Sequence, residues 1–230
     1  MNLLYAAIYL IITFSITLLV YKFFGKEGLY IWISISIVIS NIQSAKLIEI
    51  FGMTTVLGNI AYSNIYLATD ILNEKYGEKS ANKSVLYGFL SMIIFTLLML
   101  FSLCFIPSDY DVSQQSLVTI FKIIPRICIA SLVAFLASQF LDVFLYNKIK
   151  KKFNKLWISN NGGTIISQLV DTIIFVVIGY AGTLPFNELL TLGLTMYLLK
   201  VIIAICDTGF LYISKKIKVK GEDDGHNLQG

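Results

Sequence analysis

Apolar runs about as long as a bilayer is thick recur along this chain, and they constrain its fold more than any other feature. A helix needs about 20 mostly apolar residues to cross the hydrocarbon core. Six runs meet that length, at about 3–21, 29–51, 84–106, 119–147, 161–183 and 189–213. A seventh, at about 54–73, is weaker because Asn59, Ser63, Asn64 and Asp70 interrupt it. The residues are 57% hydrophobic and only 14% charged, where an average soluble domain is about 25% charged. A globule this apolar would expose patches that water does not tolerate. The expectation is an all-α, polytopic transmembrane helix bundle, with nearly the whole chain in the bilayer. The first run has no basic lead and no A-x-A-like site near Lys22, so it reads as a span rather than a leader.

The lysines test this count. Lys22 and Lys26 follow the first segment, and Lys75, Lys79 and Lys83 follow the third. Lys148, Lys150, Lys151, Lys152 and Lys155 follow the fifth, and Lys215, Lys216, Lys218 and Lys220 the seventh. The connections around 52, 107–118 and 184–188 carry no Lys or Arg. Every alternate connection is basic, as the positive-inside rule requires. The N-terminus is therefore expected outside and the C-terminus in the cytoplasm, with a polar, disordered tail at 219–230. The charge serves topology. It forms no basic stripe of the kind nucleic acid needs, so no nucleic-acid partner is expected.

Metal chemistry is largely excluded. Cys104, Cys128 and Cys206 lie inside apolar runs without a partner at ligand spacing, and His226 lies in the tail. The cysteines read as small apolar fillers, and no cofactor or metal is expected.

The informative residues are the polar ones inside the spans. An ionised side chain near the bilayer centre costs about 2.5–3.5 kcal/mol on insertion scales, so it should face an interior cavity. Helical spacing shows that these residues line up. Thr164, Ser167, Gln168 and Asp171 share one face; so do Ser131, Phe135, Ser138, Gln139 and Asp142. Asn59, Ser63, Tyr66, Asp70 and Glu74 form a third stripe, Tyr197, Lys200, Ala204 and Asp207 a fourth. The second segment adds Ser34, Asn41 and Ser44. Asp171 and Lys200 lie at similar depth on antiparallel neighbours, so an Asp171–Lys200 pair would satisfy both charges. Asp70, Asp142 and Asp207 lie nearer the cytoplasmic ends, where interfacial ion pairs are an alternative. Arg126, after Pro125, lies near the outer end of its helix, as an interface residue or a partner for a solute. The fifth and sixth segments both read Ser-Gln-x-x-Asp, at Ser138–Asp142 and Ser167–Asp171, a pattern that internal repetition could leave.

Longer motifs carry a resemblance. Ala68-Thr69-Asp70-Ile71-Leu72-Asn73-Glu74-Lys75-Tyr76-Gly77 resembles the TDILNE-x-YG signature of the queuosine precursor transporter family, also called the VUT or YhhQ family. Arg126 through Ser131, continuing to Ser138-Gln139-x-x-Asp142-Val143, resembles its R-x-x-x-AS…Q-x-x-D helix. Trp157 to Asn160-Asn161 with Ser167-Gln168-x-x-Asp171-Thr172, and Lys200-Val201 with Asp207-Thr208, resemble the next two. The match runs over about 40–215 in order.

The resemblance implies a six-helix core that imports deazaguanine precursors of queuosine (the cyano and aminomethyl bases, or queuine) for salvage into tRNA. The core would be 29–215, residues 1–28 an extra N-terminal span and basic loop, and 216–230 a cytoplasmic tail. A carboxylate can accept both an N–H and an exocyclic amine of such a base, amides can pair with its other polar edges, and Tyr or Phe can stack on the ring. The candidate substrate-binding residues are Asn41, Asp70, Gln139, Asp142, Gln168, Asp171 and Asp207. Arg126 and Lys200 would orient the carboxylates. The expected partners are a purine-like small molecule and the lipid bilayer, and a homo-oligomer is left open. An alternative is a binding subunit served by a separate ATPase, since the chain has no P-loop. An intramembrane aspartyl hydrolase would need a GxGD-type environment, which SQLVD and SQFLD lack, so no enzyme is expected.

Overall fold

The computed structural model of the chain describes residues 1–44, 46–50, 52–121, 125–182 and 185–220. The expected disorder of the tail beyond 220, His226 and the Cys128 side chain lie outside the described residues. Cys104 and Cys206 are exposed rather than packed inside as fillers: Cys104 lies in the turn that follows a helix ending at Ser102, and Cys206 on an outward helical position.

Helix α1 (Asn2–Gln43) contains one break, at Gly25, whose φ of 54° and ψ of −136° are closed to residues with a Cβ. An unbroken helix would hold residues 9 and 43 about 50 Å apart. Instead the Gln43 amide Nε2 donates to Tyr9 Oη at 2.9 Å, and Trp32 Nε1 donates to Thr17 Oγ1 at 2.8 Å. Gly25 therefore folds α1 into a helical hairpin, and its arms, 2–24 and 26–43, are the first two expected spans.

The second span was expected to reach 51 and the third to begin at 54. Both boundaries are corrected. Residues Leu47–Ile50 (β1) and Met53–Val56 (β2) form an antiparallel hairpin with Leu47 opposite Val56 and Ile50 opposite Met53. The β-branched Ile48, Ile50, Thr55 and Val56 favour strand over helix, and Gly52 supplies the left-handed turn residue at φ 72°. Near lipid the backbone must be paired. The ladder does this, and Leu57 N closes its base on Lys46 O at 2.9 Å. Ala6 and Ile60 pack on Ile50, and Asn2 Nδ2 donates to Glu49 O at 3.0 Å.

The remaining helices are α2 (Gly58–Tyr76), α3 (Glu78–Ser102), α4 (Gln114–Phe121), α5 (Pro125–Phe153), α6 (Leu156–Tyr180) and α7 (Phe186–Lys216). The fifth segment, expected to start near 119, starts as a helix at Pro125, a favoured first position because its missing N–H would be unpaired there. Asp111 accepts from the N–H groups of Ser113 at 2.6 Å and Gln114 at 3.2 Å, which caps the short α4. Helices α3 and α6 begin about five residues earlier than expected, so Lys79, Lys83, Asn160 and Asn161 are helical.

Among the described residues, five helices are long and apolar enough to cross a membrane: α1, α3, α5, α6 and α7. The fold in α1 makes it two passes, and α2, at 19 residues, is about 28 Å long. The result is the expected all-α bundle. Its outer surface is apolar, with Ile31, Leu97, Leu98, Ile173 and Ile202 more than half exposed, while Ser, Thr, Asn and Asp fill much of its interior. This inversion suits a lipid solvent.

The basic segments gather at one end. Lys220 N donates to Lys22 O at 2.9 Å, and Lys75 Nζ to Lys215 O at 3.2 Å. Glu74 joins Lys150 and, at 2.8 Å, Lys215. The β-hairpin lies at the other end.

Candidate functional site

Helices α5 and α6 are antiparallel and meet closely because Gly163 has no side chain. A Cβ there would lie 3.1 Å from Tyr146 N and 3.4 Å from Asp142 O. The approach lets two bonds form in opposite directions. Ser138 Oγ donates to Asp171 Oδ1 at 3.0 Å, and Ser167 Oγ donates to Asp142 Oδ1 at 2.8 Å. The repeated Ser-Gln-x-x-Asp pattern is thus one reciprocal contact: each serine holds the aspartate of the other helix.

Asp171 also forms the expected ion pair with Lys200 of α7, with both side chains under a tenth exposed. Counting from the basic end, Asp171 and Lys200 both lie about 22–24 Å in. That is deep enough that lone charges would be costly, and each satisfies the other. Tyr66 Oη donates to Ser138 Oγ at 3.0 Å and so extends the network to α2.

The pair opens on a narrow cleft between α1, α2, α3, α5, α6 and α7. Asn41, Ser44, Asn59, Tyr62 and Ser131 give it polar edges; Ile37, Met92, Phe175 and Met196 give it apolar walls. Its free space is about 40 Å³, enough for roughly two or three waters. A purine-sized solute enters only if the helices part. A second narrow space continues inward past Tyr62, Tyr66, Thr164, Gln168 and Lys200 to Asp207. Together they mark a polar path with Lys200 at the junction.

Buried polar atoms on this path, notably Tyr62 Oη and Gln168 Oε1, have no partner among the described residues. Each unpaired group costs about 1–3 kcal/mol, and natural interiors hold few of them. A ligand with complementary donors and acceptors would recover that cost.

The expected site residues divide into three groups. Asn41, Gln168, Asp171, Lys200 and Asp207 line the path. Asp70, Gln139 and Asp142 lie behind it, all fully enclosed. Arg126 stands apart: its guanidinium donates to the carbonyls of Ile178 at 2.6 Å and Ala181 at 2.5 Å. It closes the C-terminal end of α6, where orphan carbonyls need donors.

The alternative of interfacial ion pairs for Asp70, Asp142 and Asp207 is corrected. The described ion pairs of that end are made by Glu74. Asp207 Oδ1 instead accepts from Asn160 Nδ2 at 3.0 Å, and Asn161 Nδ2 donates to Thr208 Oγ1 at 2.7 Å. Sequence reasoning missed Tyr62, which lines both spaces. Its signal was present: it lies three residues after Asn59 and four before Tyr66, on the α2 polar stripe.

A multi-pass helix bundle with a buried charge pair at the junction of a polar path is the architecture of a small-solute membrane transporter. The family described as "Putative vitamin uptake transporter" matches residues 56–214, and the chain belongs to it. A Bacillus subtilis (strain 168) protein named "Probable queuosine precursor transporter" is 42% identical over 210 residues, covering 90% of this chain and 92% of its own length. A Haemophilus influenzae protein of the same name is 27% identical over 158 residues, with 67% and 66% covered. The Escherichia coli (strain K12) "Queuosine precursor transporter" is 23% identical over 161 residues, with 69% and 71% covered. No solved structure matches.

Proposed function

We propose that the protein carries deazaguanine precursors of queuosine across the cell membrane for salvage into tRNA. The observation that carries this reading is the buried Asp171–Lys200 pair at the junction of a path with unpaired Tyr62 and Gln168 groups, in a chain whose relatives bear that name. A deazaguanine presents an N–H and an exocyclic amine on one edge, which the Asp171 carboxylate can accept together. Lys200 can then turn from Asp171 to the carbonyl of the base. Gln168 and Asn41 are placed for the remaining polar edges, Tyr62 for the ring face or a hydroxyl contact, and Asp207 for the inner part of the path. Arg126 holds the end of α6 and supports the site from outside it.

The reading extends to topology. The basic end, with the C-terminus, faces the cytoplasm and the N-terminus lies outside, by the positive-inside rule. Residues 1–28 are the extra span and its basic loop, 29–215 the transporting core and 216–230 a tail. Transport needs no chemistry on the substrate, so the protein is not an enzyme.

The test is a strain unable to make queuosine, carrying this protein as its only importer. Each precursor is supplied in turn and queuosine in tRNA is scored. Restoration by at least one deazaguanine, lost in Asp171→Asn, is the expected result. No restoration by any of them would overturn the reading. Uptake by the purified protein alone in liposomes separates a self-contained carrier from a subunit that depends on an ATPase.

A further inference from the structure

We propose that a groove on the lipid-facing side of the bundle, beside Tyr30, holds one anionic phospholipid, with its phosphate between Lys26 and Lys83 and an acyl chain along the arm 26–43. The proposal is independent of which solute the cleft carries.

The groove follows the arm 26–43, and Tyr87 of α3 borders it. Glu27, Ile31, Ser34 and Val38 recur at three- and four-residue spacing, so they share one face of the arm. Along most of its length the walls are apolar, formed by Ile31, Ile35, Val38 and Ile39. It encloses about 490 Å³ of free space, far more than the cleft. From Glu27 to Ile39 it runs about 18 Å along the helix. The hydrocarbon of one leaflet is about 15 Å deep, half the core of a bilayer. A groove of that length and polarity, open to lipid, fits an acyl chain lying along the arm.

The head of the groove, at the basic end, has different chemistry. Tyr30 and Tyr87 meet edge to face with ring centroids 5.2 Å apart. Lys26 Nζ lies 5.8 Å from the Tyr30 ring centroid and Lys83 Nζ 6.0 Å from it; Lys83 Nζ is also 5.4 Å from the Tyr87 centroid. Two cations thus converge on one ring, and an anion between them relieves their repulsion. Neither lysine forms an ion pair among the described residues, where Glu74 and Asp171 make the ion pairs. Glu27 also borders the head, which leaves two positive charges against one negative. A net-anionic headgroup closes that balance and a zwitterionic one does not. Tyr30 offers a further contact. Its side chain is 5% exposed, and its buried hydroxyl has no partner among the described residues, a state natural interiors seldom leave. It can donate to a phosphate oxygen. Anionic membrane surfaces attract lysines wherever they lie near the headgroups; here the lysines also meet an apolar groove and an unpaired hydroxyl. The bound lipid joins the arm to α3. The arm carries Asn41 and Ser44 to the cleft and α3 carries Met92, so an occupied groove braces two of its walls.

The experiment offers the purified full-length protein equal amounts of phosphatidylglycerol and phosphatidylethanolamine and reads retained lipid by native mass spectrometry, beside melting curves with each lipid alone. The wild type is expected to keep one phosphatidylglycerol several-fold more often than phosphatidylethanolamine and to melt higher with phosphatidylglycerol. The double variant Lys26→Gln/Lys83→Gln should lose both effects. Lys148→Gln/Lys152→Gln removes two lysines of the same end outside the groove and should keep both. Ile35→Trp fills the groove without changing charge and should lower retention several-fold. In the wild type, phosphatidylglycerol with a photoreactive acyl chain should label residues 27–39 or Tyr87. Equal retention of the two lipids, equal loss in the two lysine pairs, or labelling confined to other segments overturns the proposal. If the variants do not fold, the wild-type competition and labelling still decide it.

Discussion

Ser138 donates its hydroxyl proton to Asp171 at 3.0 Å across the α5–α6 interface, leaving the second carboxylate oxygen of Asp171 to Lys200. The aspartate is thus held by a neutral donor from one helix and a cation from another. Ser167 and Asp142 make the same contact in the opposite direction, so the two helices are locked in register by a pair of short polar side chains. One lock carries the ion pair of the cleft, the other carries the enclosed carboxyl of Asp142 behind it.

The ion pair predicts an asymmetry between single and double variants. Removing one partner of a buried pair leaves an uncompensated charge and costs about 3–5 kcal/mol, whereas replacing both is close to neutral. Asp171→Asn and Lys200→Met should each lower the melting temperature of the detergent-purified protein markedly. The double variant should melt nearer the wild type, and all three should lose uptake. Singles that melt like the wild type would show that the two charges are not buried against each other.

Tyr62→Phe should separate binding from stability. The Tyr62 hydroxyl is buried without a partner among the described residues, so deleting it removes a desolvation cost and should leave stability unchanged or raised by up to about 1 kcal/mol. Substrate affinity should fall about tenfold, which corresponds to about 1.4 kcal/mol. The check is KM for uptake beside a melting curve. Loss of stability with no change in KM would place the ring in packing alone.

The path was legible where periodicity applies. Stripes at three- and four-residue spacing are a property of one helix, so Asp171, Lys200, Gln168 and Asp207 could be aligned without a fold, and their depths followed from the ends of the runs. Three things were not legible. The β-hairpin at Leu47–Val56 was hidden because short apolar strands and spans share the same hydropathy. The carbonyls that hold Arg126 depend on where α6 ends, which no local pattern gives. The Tyr66–Ser138 bond joins helices far apart in sequence, and only packing reveals it. The repeated Ser-Gln-x-x-Asp pattern was visible as letters, but its meaning is the geometry of two antiparallel helices touching at matched positions.

Gly25→Ala should damage assembly more than function. The φ of 54° with ψ of −136° lies where only glycine is comfortable, and a Cβ there costs about 1–3 kcal/mol. The turn brings arm 2–24 back along 26–43, so strain would loosen the Tyr9–Gln43 and Thr17–Trp32 contacts. Lower yield in the membrane and a lower melting temperature are expected, with near-normal KM in the protein that does assemble. A cysteine cross-link between positions 9 and 43 should restore the yield, and its failure to do so would place the defect elsewhere.

Glu74 predicts a latch at the basic end. Its carboxylate, 8% exposed, is paired with Lys150 and, at 2.8 Å, with Lys215, and it accepts from Tyr146 Oη at 2.6 Å. It ties the end of α2 to α5 and to the last turn of α7. The two lysines are partly exposed, at 34% and 44%, so water can take them back if the carboxylate is lost. Glu74→Gln should therefore cost only about 1–2 kcal/mol, well below the cost of breaking the Asp171–Lys200 pair. The local effect should be larger than the global one. With its anchor gone, the end of α7 opens more often, and trypsin should cut after Lys215 or Lys216 several times faster than in the wild type. High salt should speed cleavage of the wild type and leave the variant almost unchanged, since salt screens the partly exposed pairs that the variant no longer makes. Equal cleavage of both proteins at low salt would show that Glu74 does not hold α7 in place.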